Sequence, residues 1–120
     1  MSKILSAALA LFLLVAPATA GEADVIEARA TNTGKTWRFD VTVRHGDTGW
    51  DHYVTRWEVV GPDGTKFGER VLLHPHEHEQ PFTRSQNGIT VPDDVKKVTV
   101  RAYDNVHHLG GVEMQVNLPE

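Results

Sequence analysis

The sequence has no cysteine. That excludes disulfides, thiolate metal ligands, a thiol nucleophile and a lipid carried on a cysteine, so a lipoprotein anchor is not expected. Serine is nearly as scarce, for beyond residue 20 only Ser85 occurs. It follows Arg84 with no glycine elbow around it, which leaves a Ser-His-Asp hydrolase without support. HExxH, a glycine-rich phosphate cradle and a carboxylate pair flanking a cleft are all missing, so a non-enzymatic protein is expected. Basic charge is also short. Past residue 20 there are 11 basic and 16 acidic side chains, a net charge of −5 with histidines neutral. Such a surface suits neither nucleic acid nor an anionic membrane.

Long apolar runs are lacking too, with one short exception at the start. Lys3 precedes the apolar run Ile4–Val15, and Ala18-Thr19-Ala20 supplies the small residues of a cleavage site. The run is too short to span a bilayer and reads as the core of a signal peptide over 1–20. The expected product is a periplasmic or secreted protein, free of the membrane once the leader is removed. Residues 21–120 suit a single domain with enough chain to bury a core.

Most of that domain alternates with period 2. Trp37, Phe39, Val41 and Val43 face one way and Arg38, Asp40, Thr42 and Arg44 the other; Tyr53, Thr55, Trp57 and Val59 form a second such face. Further strands are expected over 67–73, 82–91, 98–103 and 112–118, with a weaker first one over 23–30. Turn chemistry at Gly61-Pro62-Asp63-Gly64 and at Val91-Pro92-Asp93-Asp94 separates them. Seven or so short strands without a helical period predict an immunoglobulin- or fibronectin III-like antiparallel β-sandwich.

All seven histidines then fall in loops at one end. His45 and His52 bracket the connection after the strand ending near Arg44. His74, His76 and His78 occupy the connection near 72–82, and His107 and His108 the one after Tyr103. Nitrogen ligands about 2.0–2.1 Å from a metal must lie within roughly 4 Å of each other. Two histidines at i and i+2 can lean together that far, whereas three in a row seldom can. A pair from His74 and His76 joined by a histidine of another loop is therefore the expected site. Thiol-free, imidazole-rich donors suit copper(II) first and zinc(II) or nickel(II) next. Asp47, Asp51, Glu79 or Asp104 could orient the second ring nitrogen of a ligand. Met114 alternates with valines and reads as core, and Trp50 falls outside the strand register. Gly21-Glu22-Ala23 lacks a histidine at its third position, so the amino-terminal copper motif that uses one is absent.

The runs GWDHYVTRWEVVGPDG, RVLLHPHEHEQPFTRS and VTVRAYDNVHHLGG, spread over most of the domain, resemble a group of small exported bacterial proteins of unassigned function. The shared pattern covers His45, Trp50 to Tyr53, His74 to His76, Glu79 to Ser85, and His107, without a histidine at position 78 or 108. The resemblance implies no activity. It does imply an order among ligands: His45, His52, His74, His76 and His107 ahead of His78, His108 and Glu79. The resulting expectation is a periplasmic copper-binding protein (zinc as the alternative) for delivery, storage or tolerance, handing its ion to a periplasmic partner. The competing expectation is an interaction module whose histidine-rich end meets a protein or glycan in a pH-dependent way.

Overall fold

The computed structural model describes residues 21–119; the leader expected over 1–20 lies outside the described residues. Seven strands follow in order: β1 (Asp24–Asn32), β2 (Trp37–Arg44), β3 (Val54–Val60), β4 (Lys66–Val71), β5 (Phe82–Ile89), β6 (Lys97–Asp104) and β7 (Met114–Asn117). They form two antiparallel sheets, a three-stranded one ordered β1-β2-β5 and a four-stranded one ordered β4-β3-β6-β7. This is the immunoglobulin-like sandwich expected from the alternation.

The core is what the period-2 faces dictate. Phe39, Val41 and Val43 of β2 meet Trp57 and Val59 of β3 and Val98, Val100 and Ala102 of β6, with Val25 of β1 and Phe82 of β5 closing the layer. Trp37 and Met114 pack against this cluster from its margin. Burying such side chains stabilises a domain by roughly 1.5–3 kcal/mol each, and here no disulfide adds to it. On the outer face of β3, Glu58 is buried between Arg56 Nε at 2.6 Å and Arg101 Nε at 3.0 Å. Burial alone would raise its carboxyl pKa, but the two guanidiniums outweigh that and hold it below the usual range.

Strand register decides which loops meet. Asp24 pairs with Arg44, Val43 with Phe82, and Val54 with Asp104. The approach to β1, the loop 45–53, the loop 72–81 and the turn after β6 are thereby gathered at one end. That end carries all seven histidines. The polar groups there bind across loops. Tyr53 N donates to Asn105 Oδ1 at 2.9 Å, Asn105 Nδ2 to Trp50 O at 3.0 Å, and His45 N to Gln80 Oε1 at 2.9 Å.

Candidate metal centre

Two strands carry their core phase one residue beyond the apolar stretch. In β2 the inward positions Phe39, Val41 and Val43 lead to His45; in β6 Val98, Val100 and Ala102 lead to Asp104. Both polar side chains are therefore driven under the end of the sandwich, and each is fully buried. His52 reaches them from the loop before β3. Its Nε2 lies 3.2 Å from His45 Nε2 and 3.3 Å from Asp104 Oδ1, while His45 Nε2 is 3.8 Å from Asp104 Oδ2. One ligand atom from each of His45, His52 and Asp104 falls within 4.8 Å of the other two. His107 stands at the edge of this group, with Nδ1 3.5 Å from Asp104 Oδ1 and its ring centroid 5.0 Å from that of His52.

The hydrogen bonds around the cluster leave its lone pairs facing inward. Asp47, also buried, pairs with His45 Nδ1, so a neutral ring donating there carries its lone pair on Nε2, the atom that faces His52 Nε2. Asp104 Oδ1 accepts from the backbone N–H of Val106 at 2.8 Å and of His107 at 2.6 Å, so the turn fixes the carboxylate. Asp104 Oδ2 is buried with no hydrogen-bond partner. A buried carboxylate oxygen without a donor is costly, and His45 Nε2 lies 3.8 Å from this one, beyond hydrogen-bond distance. His52 Nε2 adds a further crowd, since it faces Gly21 O at 3.2 Å besides the two groups already named. One N–H cannot serve all of them. Electron-pair donors converge on one point, and a cation there would satisfy all of them.

The donor set fits a transition metal of borderline character: two or three imidazole nitrogens and one carboxylate, no sulfur. Asp47 occupies the outer position, binding the second nitrogen of a ligand histidine as such carboxylates do. Its Oδ2 also accepts from His76 N at 2.7 Å, so the same carboxylate ties the 72–81 loop to His45.

The structure thus gathers His45, His52 and His107 of the expected ligands and leaves out the rest. His74 and His76 pair with each other, ring centroids 4.6 Å apart, and do not reach the cluster. His76 turns inward and stacks on Phe82, centroids 3.9 Å apart at 6°, with both ring nitrogens unpartnered. Burial, helped by Arg84 and His74, lowers its pKa below the usual imidazole value. His78 is exposed on the loop surface. His108 Nδ1 meets the Tyr103 hydroxyl at 2.5 Å. Glu79 is held by Arg84 Nη2 at 3.0 Å, and that hydrogen bond lowers its carboxyl pKa. The expectation that His74 and His76 meet a histidine of another loop is therefore corrected. Extended spacing does not persist through Pro75, and contacts to Asp47 and Gln80 set the loop instead. Asp104, expected as an orienting group, instead lies in the cluster itself, with a carboxylate oxygen within 4.8 Å of the ligand atoms of His45 and His52. Its signal was in the sequence: a carboxylate in the core phase of β6.

No protein-family model matches the chain. It is 39% identical over 97 residues to a protein of Halomicrobium mukohataei named "Putative lipoprotein", a match spanning 80% of this chain and 47% of the relative. The chain thus spans about half the length of that relative. Among solved structures, a hypothetical protein of Pyrococcus horikoshii OT3 superposes with a TM-score of 0.55 at 19% identity, covering 86% of this chain and 93% of the other. A superoxide reductase in the oxidized state superposes with a TM-score of 0.52 at 18% identity, covering 86% and 94%. Both share the fold.

Proposed function

We propose that this protein is an exported metal-binding domain holding one transition-metal ion under the end of its sandwich. His45 Nε2, His52 Nε2 and Asp104 are the ligands, with His107 as a fourth. The observation that carries the reading is Asp104 Oδ2, buried and unpartnered beside the paired Nε2 atoms of His45 and His52. Export is supported by the leader-like start and by the lipoprotein name of the relative. Copper(II) stands first and zinc(II) second, because divalent affinities for nitrogen donors peak at copper. The role is delivery, storage or tolerance. Trp50, Leu73, Val106 and Val112 are large apolar residues left exposed on the three loops of this end. They offer a contact surface to a partner that receives or supplies the ion.

Calorimetric titration of the exported protein with copper(II), zinc(II) and iron(II), beside its His45→Ala variant, tests the reading. One ion should bind stoichiometrically at micromolar or tighter affinity, and the variant should lose it. Equal weak binding by both proteins would sink the metal reading and leave the interaction module. The carboxylate in the set gives iron(II) a place in the titration, since two histidines and one carboxylate are the donors of many non-haem iron sites. A neighbour named superoxide reductase makes superoxide consumption the activity to assay on the iron-loaded form. Turnover lost in Asp104→Ala would add catalysis to binding.

A further inference from the structure

We infer that the α-amine of Gly21, freed by removal of the leader after Ala20, is a metal ligand, and that the site is complete only in the processed protein. The inference rests on the metal reading above and on cleavage at the Ala18-Thr19-Ala20 stretch.

Gly21 already stands at the cluster. Its carbonyl oxygen is 3.2 Å from His52 Nε2. A Cβ added at Gly21 would lie 3.4 Å from both Cε1 and Nε2 of His107. The chain is fixed there by its successors. Ala23 is buried, Val25 N donates to Val112 O at 2.8 Å, and Val112 N donates to Asp24 Oδ1 at 2.6 Å. Gly21 lies two residues before buried Ala23, and its backbone stands at the same end as His45 and Asp104.

The chemistry depends on what precedes Gly21. In the precursor its nitrogen is a peptide amide, whose lone pair is delocalised into the carbonyl and is a poor donor. Cleavage converts it to an amine, whose free lone pair and neighbouring carbonyl oxygen can close a five-membered chelate on one ion. The absent third-position histidine does not matter in this arrangement, because His45, His52 and His107 supply imidazole from elsewhere in the chain. An added nitrogen donor favours copper(II) more than zinc(II). The leader would then act as a block on loading: the site gains its chelate only once export has removed residues 1–20.

The test compares the exported protein, with its first residue established by intact mass, against a form that retains Thr19-Ala20 ahead of Gly21. Every side-chain ligand is the same in both. Loss of an outer-shell partner costs about 10–100-fold in metal affinity, so loss of a direct ligand should cost at least that for copper(II). Circular dichroism of the two apo forms should coincide. A ratio below about threefold, or an exported protein that starts elsewhere than Gly21, would overturn the inference. In either case His45-dependent binding by both forms would leave the metal reading standing, and binding by neither would remove both.

Discussion

Asp104 is where a metal role and a purely structural role predict opposite signs. Asp104→Asn keeps the shape of the side chain and one oxygen for the N–H groups of Val106 and His107. It replaces Oδ2 with an NH2 group that faces the His45 Nε2 lone pair, 3.8 Å away in the native protein. The native apo protein buries a carboxylate oxygen without a donor. Leaving such a group unsatisfied costs about 1–3 kcal/mol, and the amide both sheds the charge and gains an acceptor. The apo variant should therefore be as stable as the native apo protein, or more stable by up to about 2 kcal/mol. For a domain of this size that is a rise in Tm of roughly 4–8 °C per kcal/mol.

With metal the order reverses. An ion present at 100 times its Kd stabilises the native protein by about 2.7 kcal/mol, a rise of roughly 10–20 °C. The variant, with a neutral amide in place of the carboxylate, should show little of that rise. Differential scanning calorimetry of both proteins, in chelator and in excess copper(II) or zinc(II), reads both signs in one experiment. The opposite pattern would refute the reasoning: an apo variant losing more than about 2 kcal/mol while keeping the metal-induced rise. Asp104 would then be held in a buried polar network with His45 and Asp47 that serves the fold and not a metal.

Three further outcomes follow from the structure. The pKa of His76 is lowered in the folded state, first by burial and then by Arg84 and His74, so as pH falls the unfolded chain takes up its proton first. The stabilisation from its neutral ring is complete above about pH 6.5 and is lost as pH falls through the folded value. Urea midpoints from pH 7.5 to 5 should drop less in His76→Phe, which keeps the stack on Phe82, and its metal affinity should stay within about threefold of native, well short of the loss an outer-shell partner causes. Glu58→Gln removes the charge shared by Arg56 and Arg101; with both guanidiniums part-exposed the loss should be about 1–2 kcal/mol by denaturant unfolding, metal affinity unchanged. In Gly111→Ala the new Cβ would fall 1.9 Å from Ala23 O, so the backbone leading into β1 must shift. That should cost about 1–3 kcal/mol and, because Gly21 lies two residues before Ala23, weaken copper(II) binding in calorimetry as well.

The fold was legible because each sheet has one buried face, and burial writes itself into the chain as alternation. Phe39, Val41 and Val43, or Val98, Val100 and Ala102, admit no other register without turning the core to solvent. Within the segment 82–91 the strand is β5, Phe82–Ile89, which pairs along β2 with an irregularity between Gln86 and Ile89. The gathering of histidine loops at one end follows from that strand order alone. What did not follow was the choice among histidines. Imidazole is densest in the 72–82 segment, where a pairing at i and i+2 requires an extended backbone. Beyond Val71 no ladder enforces that geometry; the loop takes its shape from distant residues, Asp47 holding His76 N and Gln80 bridging His45 N and His76 O. Two of these three contacts, Asp47 to His76 and Gln80 to His45, are far apart in sequence. Strand phase, by contrast, runs past the last apolar residue without loss of meaning. It places His45 one step beyond Val43 and Asp104 one step beyond Ala102, both pointing inward at the same end. A polar side chain in core phase must find a partner or forfeit its hydration, so its position alone marks it as a candidate ligand. Loop histidines follow no such phase; of the three at 72–82, only His76 is buried, and it packs on Phe82 instead of entering the cluster. For a site built at the end of a β-sandwich, the phase of a single carboxylate is thus a stronger sign than the number of imidazoles nearby.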